Sequence, residues 1–213
     1  MNVANEHFVI TISRLCGAGG TSIGNLLSEK LGIPVYGREL LRMASDMSGI
    51  NEELFERADE RIRNGLLFKI SKEVYDKEPP VPSAVSAPDF TADHDLFDYQ
   101  AKVLRKLAAS ESYIVIGRCA DYILRDLPNV VRVFVTSDEA HCVEHLMKRS
   151  GLTRKEAWAE IQRLDNERAS YYRYYTDQTW SSAENYDLCV NTASVSYEDC
   201  ADLIIDYLHR KCK

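Results

Sequence analysis

The sequence has no apolar run that approaches the roughly 18–20 residues needed by a membrane-spanning helix. Its first residues lack the basic stretch and apolar core of a secretory signal peptide. Its six cysteines are scattered and form no C-x-x-C pair, and in a chain of this length without a signal peptide they are expected to be mostly buried. These absences predict reduced thiols, a cytoplasmic location and no membrane partner.

Positive charge is also scarce, since 26 Lys and Arg stand against 33 Asp and Glu and give a net charge of −7. The balance argues against the extended basic face of a nucleic-acid-binding protein. It leaves room for a local basic pocket that binds a small anion. The 213 residues, 45% of them hydrophobic, predict one folded domain over 1–213.

Short β-branched runs alternate with helical patterns along the chain. The runs lie at 8–12, 33–36, 113–117, 130–135 and 186–191. Helices are predicted between them from apolar spacing and from capping patterns, such as Thr136 and Thr153, each three residues before a glutamate. The order predicts an α/β fold with a five-stranded parallel sheet and helices on both faces. Ligands in such sheets bind at the carboxyl ends of the strands.

One segment departs from this alternation. Residues 78–98 contain four prolines among serines, alanines and acidic residues, and a loop is predicted there. It is either a solvated connection or a flap over the site, because long loops in compact domains are often functional. A further helix is predicted from Asn51, where two glutamates follow a capping residue.

A glycine-rich turn joins the first strand to the first helix. Glycines let successive backbone N–H groups face an anion, and the start of a helix favours negative charge. The predicted phosphate-binding residues are Ser13, Gly17, Ala18, Gly19, Gly20, Thr21 and Ser22. The alternative is a turn with a purely structural role.

This turn resembles the G-x-x-x-x-G-K-[ST] loop of P-loop kinases, with Arg14 in place of the first glycine and Gly20 in place of the lysine. It is similar to the loop of the cytidylate-kinase-like family, which typically also lacks that lysine. Further stretches that resemble this family follow in order at 32–41, 117–124, 165–172 and 185–192. Gly37 is a departure, since relatives commonly carry aspartate there.

The resemblance implies an ATP-dependent phosphotransferase acting on a nucleoside monophosphate, with ATP on the loop 13–22 and Mg²⁺ near the Ser22 hydroxyl. It implies that Arg38, Arg118, Asp121 and Asp165 bind the acceptor. Arg118, Arg168 and Arg173 are implied as catalytic residues, and Arg14 is expected to supply the charge of the missing lysine.

The resemblance also implies a lid at about 150–180. Residues 148–173 carry seven Lys and Arg against four acidic residues, which fits an arm that closes on phosphates. The alternative is a surface helix whose charges pair with one another. Four tyrosines at 171–175 are expected to pack this helix on the domain, and His141 and His145 are expected on a surface helix rather than at a metal.

Two other functions stay open. The missing lysine and Gly37 favour a nucleotide-binding protein with weak or no catalysis, and the fold also admits a kinase of a non-nucleotide small acceptor. The expected partners are small-molecule nucleotides and no nucleic acid, and the sequence is compatible with a homodimer.

Overall fold

The computed structural model describes residues 7–49 and 93–212. Within these ranges the strands are β1 (Val9–Arg14), β2 (Val35–Tyr36), β3 (Tyr113–Ile116), β4 (Val130–Thr136) and β5 (Leu188–Asn191). The helices in the same ranges are α1 (Gly20–Leu31), α2 (Glu39–Ser48), α3 (Asp93–Ala108), α4 (Ala120–Ile123), α5 (Glu139–Ser150), α6 (Arg154–Thr176) and α7 (Tyr197–Lys211). A 3-10 turn at Ala183–Asn185 precedes β5.

The five strands form one parallel sheet in the order β2-β3-β1-β4-β5, which confirms the predicted architecture. The first strand lies at the centre, where Val9 pairs with Tyr113 of β3 and with Val130 of β4. Because all strands run in one direction, the segments that follow β1, β3 and β4 meet at the same edge. The glycine-rich turn therefore lies beside the turn that follows β3.

Apolar side chains cover both faces of the sheet, since successive residues of a strand point to opposite sides. Val9 belongs to a core with residues of α2, α3 and α4, whereas Ile10 and Ile12 belong to a core with residues of α1, α5 and α7. All three side chains are at most 2% exposed. This burial on two faces explains why the strand is apolar at almost every position.

Capping residues set where the long helices begin. Thr153 and Glu156 form the predicted reciprocal capping box at the start of α6. The same spacing at Thr136 predicts a capping box that is not formed, because Thr136 is the last residue of β4. Asp138 caps α5 instead, by accepting a hydrogen bond from the His141 N–H at 2.7 Å.

The helix predicted from Asn51 and most of the loop predicted over 78–98 lie outside the described residues. The described part of that loop, from Asp93 onward, is helical and belongs to α3. No helix in the described part of the chain is long and apolar enough to cross a bilayer.

Helix α6 is fixed to the domain by its tyrosines. The Tyr175 ring stacks on Phe97 of α3, with ring centroids 4.0 Å apart and an interplanar angle of 8°. Tyr172 is 3% exposed and donates a hydrogen bond to Asp121 at 2.6 Å. The C-terminal half of α6 is thereby held over the sheet edge.

The edge strand β5 is held to its neighbours through Asp187. Its carboxylate accepts hydrogen bonds from the Arg132 guanidinium and backbone N–H, and from Lys211 at 2.7 Å. Burial alone would raise the pKa of Asp187, but these donors outweigh it and lower the pKa to about 2. Asp187 therefore connects β4, β5 and the last helix through one ionised side chain.

Candidate active site

The turn between β1 and α1 is held in a shape that requires glycine. Gly17 and Gly19 have φ values of +84° and +82°, in the left-handed region. A Cβ at Gly17 would lie 2.5 Å from the carbonyl oxygen of Cys142, and one at Gly19 would overlap the ring of Tyr197. Because α1 begins at Gly20, the first N–H groups of that helix face the same turn and are available to an anion.

Arg14 lies half-buried along this turn. A Cβ at Gly20 would lie 2.6 Å from the Arg14 Cβ, and a Cβ at Gly117 would lie 2.7 Å from the Arg14 Nη1. The side chain therefore runs from the start of α1 to the end of β3. Burial, and then the positive charges of Arg168 and Arg118, lower the pKa of Arg14 to about 9. At neutral pH Arg14 stays charged, in a cluster of cations that favours an anion.

The turn after β3 places Arg118 beside Arg14. Gly117, Arg118 and Cys119 are consecutive residues with φ values of +75°, +64° and +51°. Left-handed conformations are costly for residues with a side chain, and such strain concentrates at functional sites. The turn leads directly into α4, and the polar groups of the turn face the edge of the sheet.

Two cavities lie on either side of Arg14. The first cavity has a volume of about 680 Å³ and lies over the ends of β1 and β3. It is lined by five arginines, Arg14, Arg38, Arg118, Arg149 and Arg168, and by three aromatic residues, Tyr171, Tyr172 and Trp180. The second cavity, of about 740 Å³, lies between the glycine-rich turn, the end of α5 and the first half of α6.

The two cavities share part of their lining. Arg14, Thr21, Arg149, Leu164 and Arg168 line both of them. Three of these five side chains are cationic. The arrangement can hold two anionic molecules whose charged ends meet at Arg14 and Arg168.

The predicted phosphate-binding residues divide between the cavities. Gly17, Gly19 and Gly20 line the second cavity, Thr21 lines both, and Ser13 lines the first. Ala18 is fully buried. Ser22 lines neither cavity, so among the hydroxyls of this turn that of Thr21 is the one at the junction.

Asp121, predicted as an acceptor ligand, lies beneath the first cavity rather than in its lining. It is 2% exposed, and its carboxylate accepts hydrogen bonds from Tyr172 at 2.6 Å and from Ser13 at 3.4 Å. Burial raises the pKa of Asp121, while these hydroxyl donors act in the opposite direction. Its direct partners are thus two residues of the cavity wall.

Asp165 and the two predicted catalytic arginines of α6 also occupy distinct places. The Asp165 Oδ1 accepts a hydrogen bond from the Cys16 N–H at 2.8 Å and another from the Arg168 Nη1 at 2.9 Å. Asp165 lines neither cavity, while Arg168 lines both. Arg173 is exposed on the helix surface and lines neither of them.

Three residues of the site carry no role in the sequence-based prediction. Arg149 is visible in sequence only as part of the basic segment 148–173. Glu39, in the first turn of α2, lines the first cavity, and hydrogen bonds from backbone N–H groups, including that of Gly37, lower its pKa. The ring Nδ1 of His145 lies 2.7 Å from the Gly17 carbonyl oxygen, so this helix supports the turn.

Comparison with known proteins identifies the family. The model of the cytidylate kinase-like family matches residues 9–194. An uncharacterized protein from Eubacterium ventriosum ATCC 27560 has a similar crystal structure, with 26% identity, a TM-score of 0.69, and coverage of 95% of this chain and 99% of that one. Among curated proteins, none matches this sequence.

Shikimate kinase from Bacteroides thetaiotaomicron has the same fold, with 14% identity, a TM-score of 0.51, and coverage of 95% of this chain and 98% of that one. The fold of this chain is therefore similar to that of P-loop kinases. The chain belongs to the cytidylate kinase-like family.

Proposed function

We propose that this protein transfers the γ-phosphoryl group of ATP to a nucleoside monophosphate. The donor occupies the second cavity, with its phosphates on the turn 13–22, and the acceptor occupies the first. The observation that carries the proposal is the shared lining of the two cavities, because Arg14, Arg149 and Arg168 reach both. Phosphoryl transfer between two bound phosphates depends mainly on such positioning and on positive charge around the transferring group.

The reaction needs no base from the protein when the acceptor is a phosphate. The acceptor phosphate oxygen, already ionised, forms the new bond to the γ-phosphorus, and the bond to the β–γ bridging oxygen breaks to release ADP. Negative charge spreads over the γ-oxygens, and Arg14 and Arg168 stabilise it from the junction of the cavities. In this scheme Arg14 provides the charge that the loop lysine provides in other P-loop kinases.

The first cavity offers what a nucleoside monophosphate requires. Arg38 and Arg118 bind its phosphate, since a guanidinium donates two parallel hydrogen bonds to phosphate oxygens. Tyr171 and Trp180 provide aromatic surface for its base. In this proposal Asp121 acts on the site through Tyr172, from which it accepts a hydrogen bond. Asp165 acts in the same way through Arg168.

The residues present fit a magnesium ion that is held mainly by the donor. Mg²⁺ in phosphotransferases takes most of its ligands from phosphates and water, so one protein oxygen suffices. The Thr21 hydroxyl at the junction of the cavities would supply it, in preference to Ser22. No cluster of three metal-binding side chains occurs among the described residues. The ion would neutralise charge between the donor phosphates.

The direct test is a turnover assay with ATP, Mg²⁺ and CMP, dCMP, UMP, AMP or GMP, followed by chromatography of the nucleotides. We expect ADP and one nucleoside diphosphate to form together, and both to decrease in the Arg118→Ala variant. The matched control is Arg105→Ala, an exposed arginine of α3 outside both cavities. Intact ATP with every acceptor would overturn the proposal. Nucleotide binding tighter than about 1 mM without turnover would instead indicate a binding protein.

A second candidate is a kinase of a small anionic acceptor that presents a hydroxyl group. Glu39 favours it, because transfer to a hydroxyl oxygen requires a group that accepts the hydroxyl proton, and a carboxylate in the acceptor cavity can do so. The Glu39→Gln variant separates the two candidates. It retains turnover within about threefold if the acceptor is a phosphate, and loses about 10²-fold or more if the acceptor is a hydroxyl.

A further inference from the structure

The lid helix α6 is bonded directly to the backbone of the glycine-rich turn. The Asp165 Oδ1 accepts the hydrogen bond of the Cys16 N–H, a residue 149 positions earlier in the chain, at 2.8 Å. The same oxygen accepts from the Arg168 Nη1 at 2.9 Å. The side chains of Asp165 and Arg168 are 19% and 27% exposed, so the pair is largely withdrawn from water.

Arg168 completes a second connection to the same stretch of backbone. Its Nη1 also donates to the Arg14 carbonyl oxygen at 3.3 Å. The Leu15 N–H between these contacts donates to the Val135 carbonyl oxygen of β4 at 3.0 Å. The backbone at 14–16 is thus bonded to the lid on one side and to the sheet on the other.

The charge of Asp165 also acts on the cationic cluster. Arg14 is destabilised by the neighbouring charges of Arg168 and Arg118 and is stabilised by that of Asp165. A neutral acceptor at 165 could keep the hydrogen bond to Cys16 but would not offset this repulsion. The hydrogen bond that Asp165 accepts from Cys16 and the negative charge of Asp165 therefore contribute separately, and variants of Asp165 can distinguish the two contributions.

We propose that Asp165 is a positioning residue that couples the lid to the glycine-rich turn and directs Arg168 toward the transferring phosphoryl group. This inference rests on the proposed function for the role of Arg168 in transfer. The position of α6 and the shape of the turn are thereby linked, because one carboxylate is bonded to both. Asp165 contacts no substrate in this scheme, so its loss affects turnover more than ground-state binding of ATP.

The test compares the whole chain with Asp165→Asn, Asp165→Ala and a matched control, Glu144→Gln, which removes one exposed carboxylate of α5. The first readout is amide hydrogen exchange at Cys16 by NMR. We expect exchange at least tenfold faster in Asp165→Ala, an intermediate rate in Asp165→Asn, and no change in Glu144→Gln. Unchanged exchange in Asp165→Ala would overturn the proposal whether or not the protein has kinase activity.

The second readout is steady-state kinetics with the best acceptor. We expect kcat to fall at least tenfold in Asp165→Asn while KM for ATP stays within about threefold, because the amide oxygen still accepts from Cys16 but, being uncharged, holds the Arg168 guanidinium more weakly. Faster exchange with an unchanged kcat would mean that Asp165 only supports the turn, and would overturn the positioning role. Absence of turnover in the unmodified protein would refute the proposed function, and with it the role of Arg168, while the exchange result still decides the coupling.

Discussion

The Cβ of Arg14 stands 2.6 Å from the point where a side chain at Gly20 would begin. An arginine on β1 and a lysine at the start of α1 therefore exclude each other in this backbone. The absence of a lysine from the loop is compatible with the position of Arg14, and the positive charge enters the site from the strand instead of from the helix.

Replacing Arg14 by alanine removes this charge. We expect kcat to fall about 10²–10³-fold, the usual cost of removing one positioned group that stabilises the transition state. Arg14→Lys should recover part of the activity, because it restores the charge without the planar guanidinium. Steady-state kinetics checks both, with Arg105→Ala as the control. Unchanged turnover in Arg14→Ala would contradict the role of this residue.

Replacing Gly20 by alanine introduces an atom where the Arg14 stem already lies. Overpacking of this kind typically costs about 1–3 kcal/mol, which we expect to lower the Tm by several degrees. The double variant Arg14→Gly with Gly20→Ala should be more stable than the sum of the single changes implies, because the clash is absent. A double-mutant cycle of urea unfolding measures this coupling. Additive effects on the free energy of unfolding would contradict the steric clash between Arg14 and a side chain at position 20.

Loss of the Arg118 guanidinium should affect the acceptor and not the donor. Arg118 lines the first cavity but not the second. We expect Arg118→Ala to raise KM for the acceptor at least tenfold, in line with the loss of a charge-assisted hydrogen bond of about 1.5–3 kcal/mol. KM for ATP should stay within about threefold. Equal increases in the two KM values would contradict the assignment of Arg118 to the acceptor alone.

The ionised Asp187 makes stability depend on pH in the acid range. Its pKa in the folded protein is about 2, below the value of an unfolded aspartate near 4. The folded state therefore favours the ionised form, and this stabilisation is present above pH 4 and is lost as the pH falls from about 4 to 2. It amounts to about 2 kcal/mol.

Urea unfolding of Asp187→Asn tests this dependence. The variant should be less stable than the unmodified protein by about 2 kcal/mol at pH 7, and the difference should shrink toward pH 2. Asp206→Asn, which changes an exposed aspartate of α7, should show no such trend. A difference in the free energy of unfolding that is the same at both pH values would contradict the stabilising role of the ionised Asp187 carboxylate.

The sequence was sufficient for the architecture because the fold follows from patterns that are local in the chain. Apolar runs such as 8–12 and 130–135 are buried on both faces, and the glycines at 17 and 19 are required by backbone conformation. The capping box at Thr153 was also predictable, since its two partners lie three residues apart. The same spacing failed at Thr136, where pairing in the sheet takes precedence.

The contacts that build the site were not predictable, because they join distant parts of the chain. Nothing near Asp165 indicates that its partner is the backbone of Cys16, and the same holds for His145 and the carbonyl of Gly17. The family resemblance implied a catalytic role for both Arg168 and Arg173. Only the tertiary packing of α6 shows that the first lines the cavities while the second points elsewhere.

The central position of β1 governs when this protein can first bind a ligand during its synthesis. The strand that leads into the glycine-rich turn is synthesised before its neighbours β3 and β4, which lie more than 100 residues later. Until residue 136 has emerged, the nascent chain carries the sequence of the turn without the sheet that shapes it. Helix α6 and the last strand follow later still in the chain, so the two cavities, whose lining extends to Trp180, form only after β4 has been synthesised.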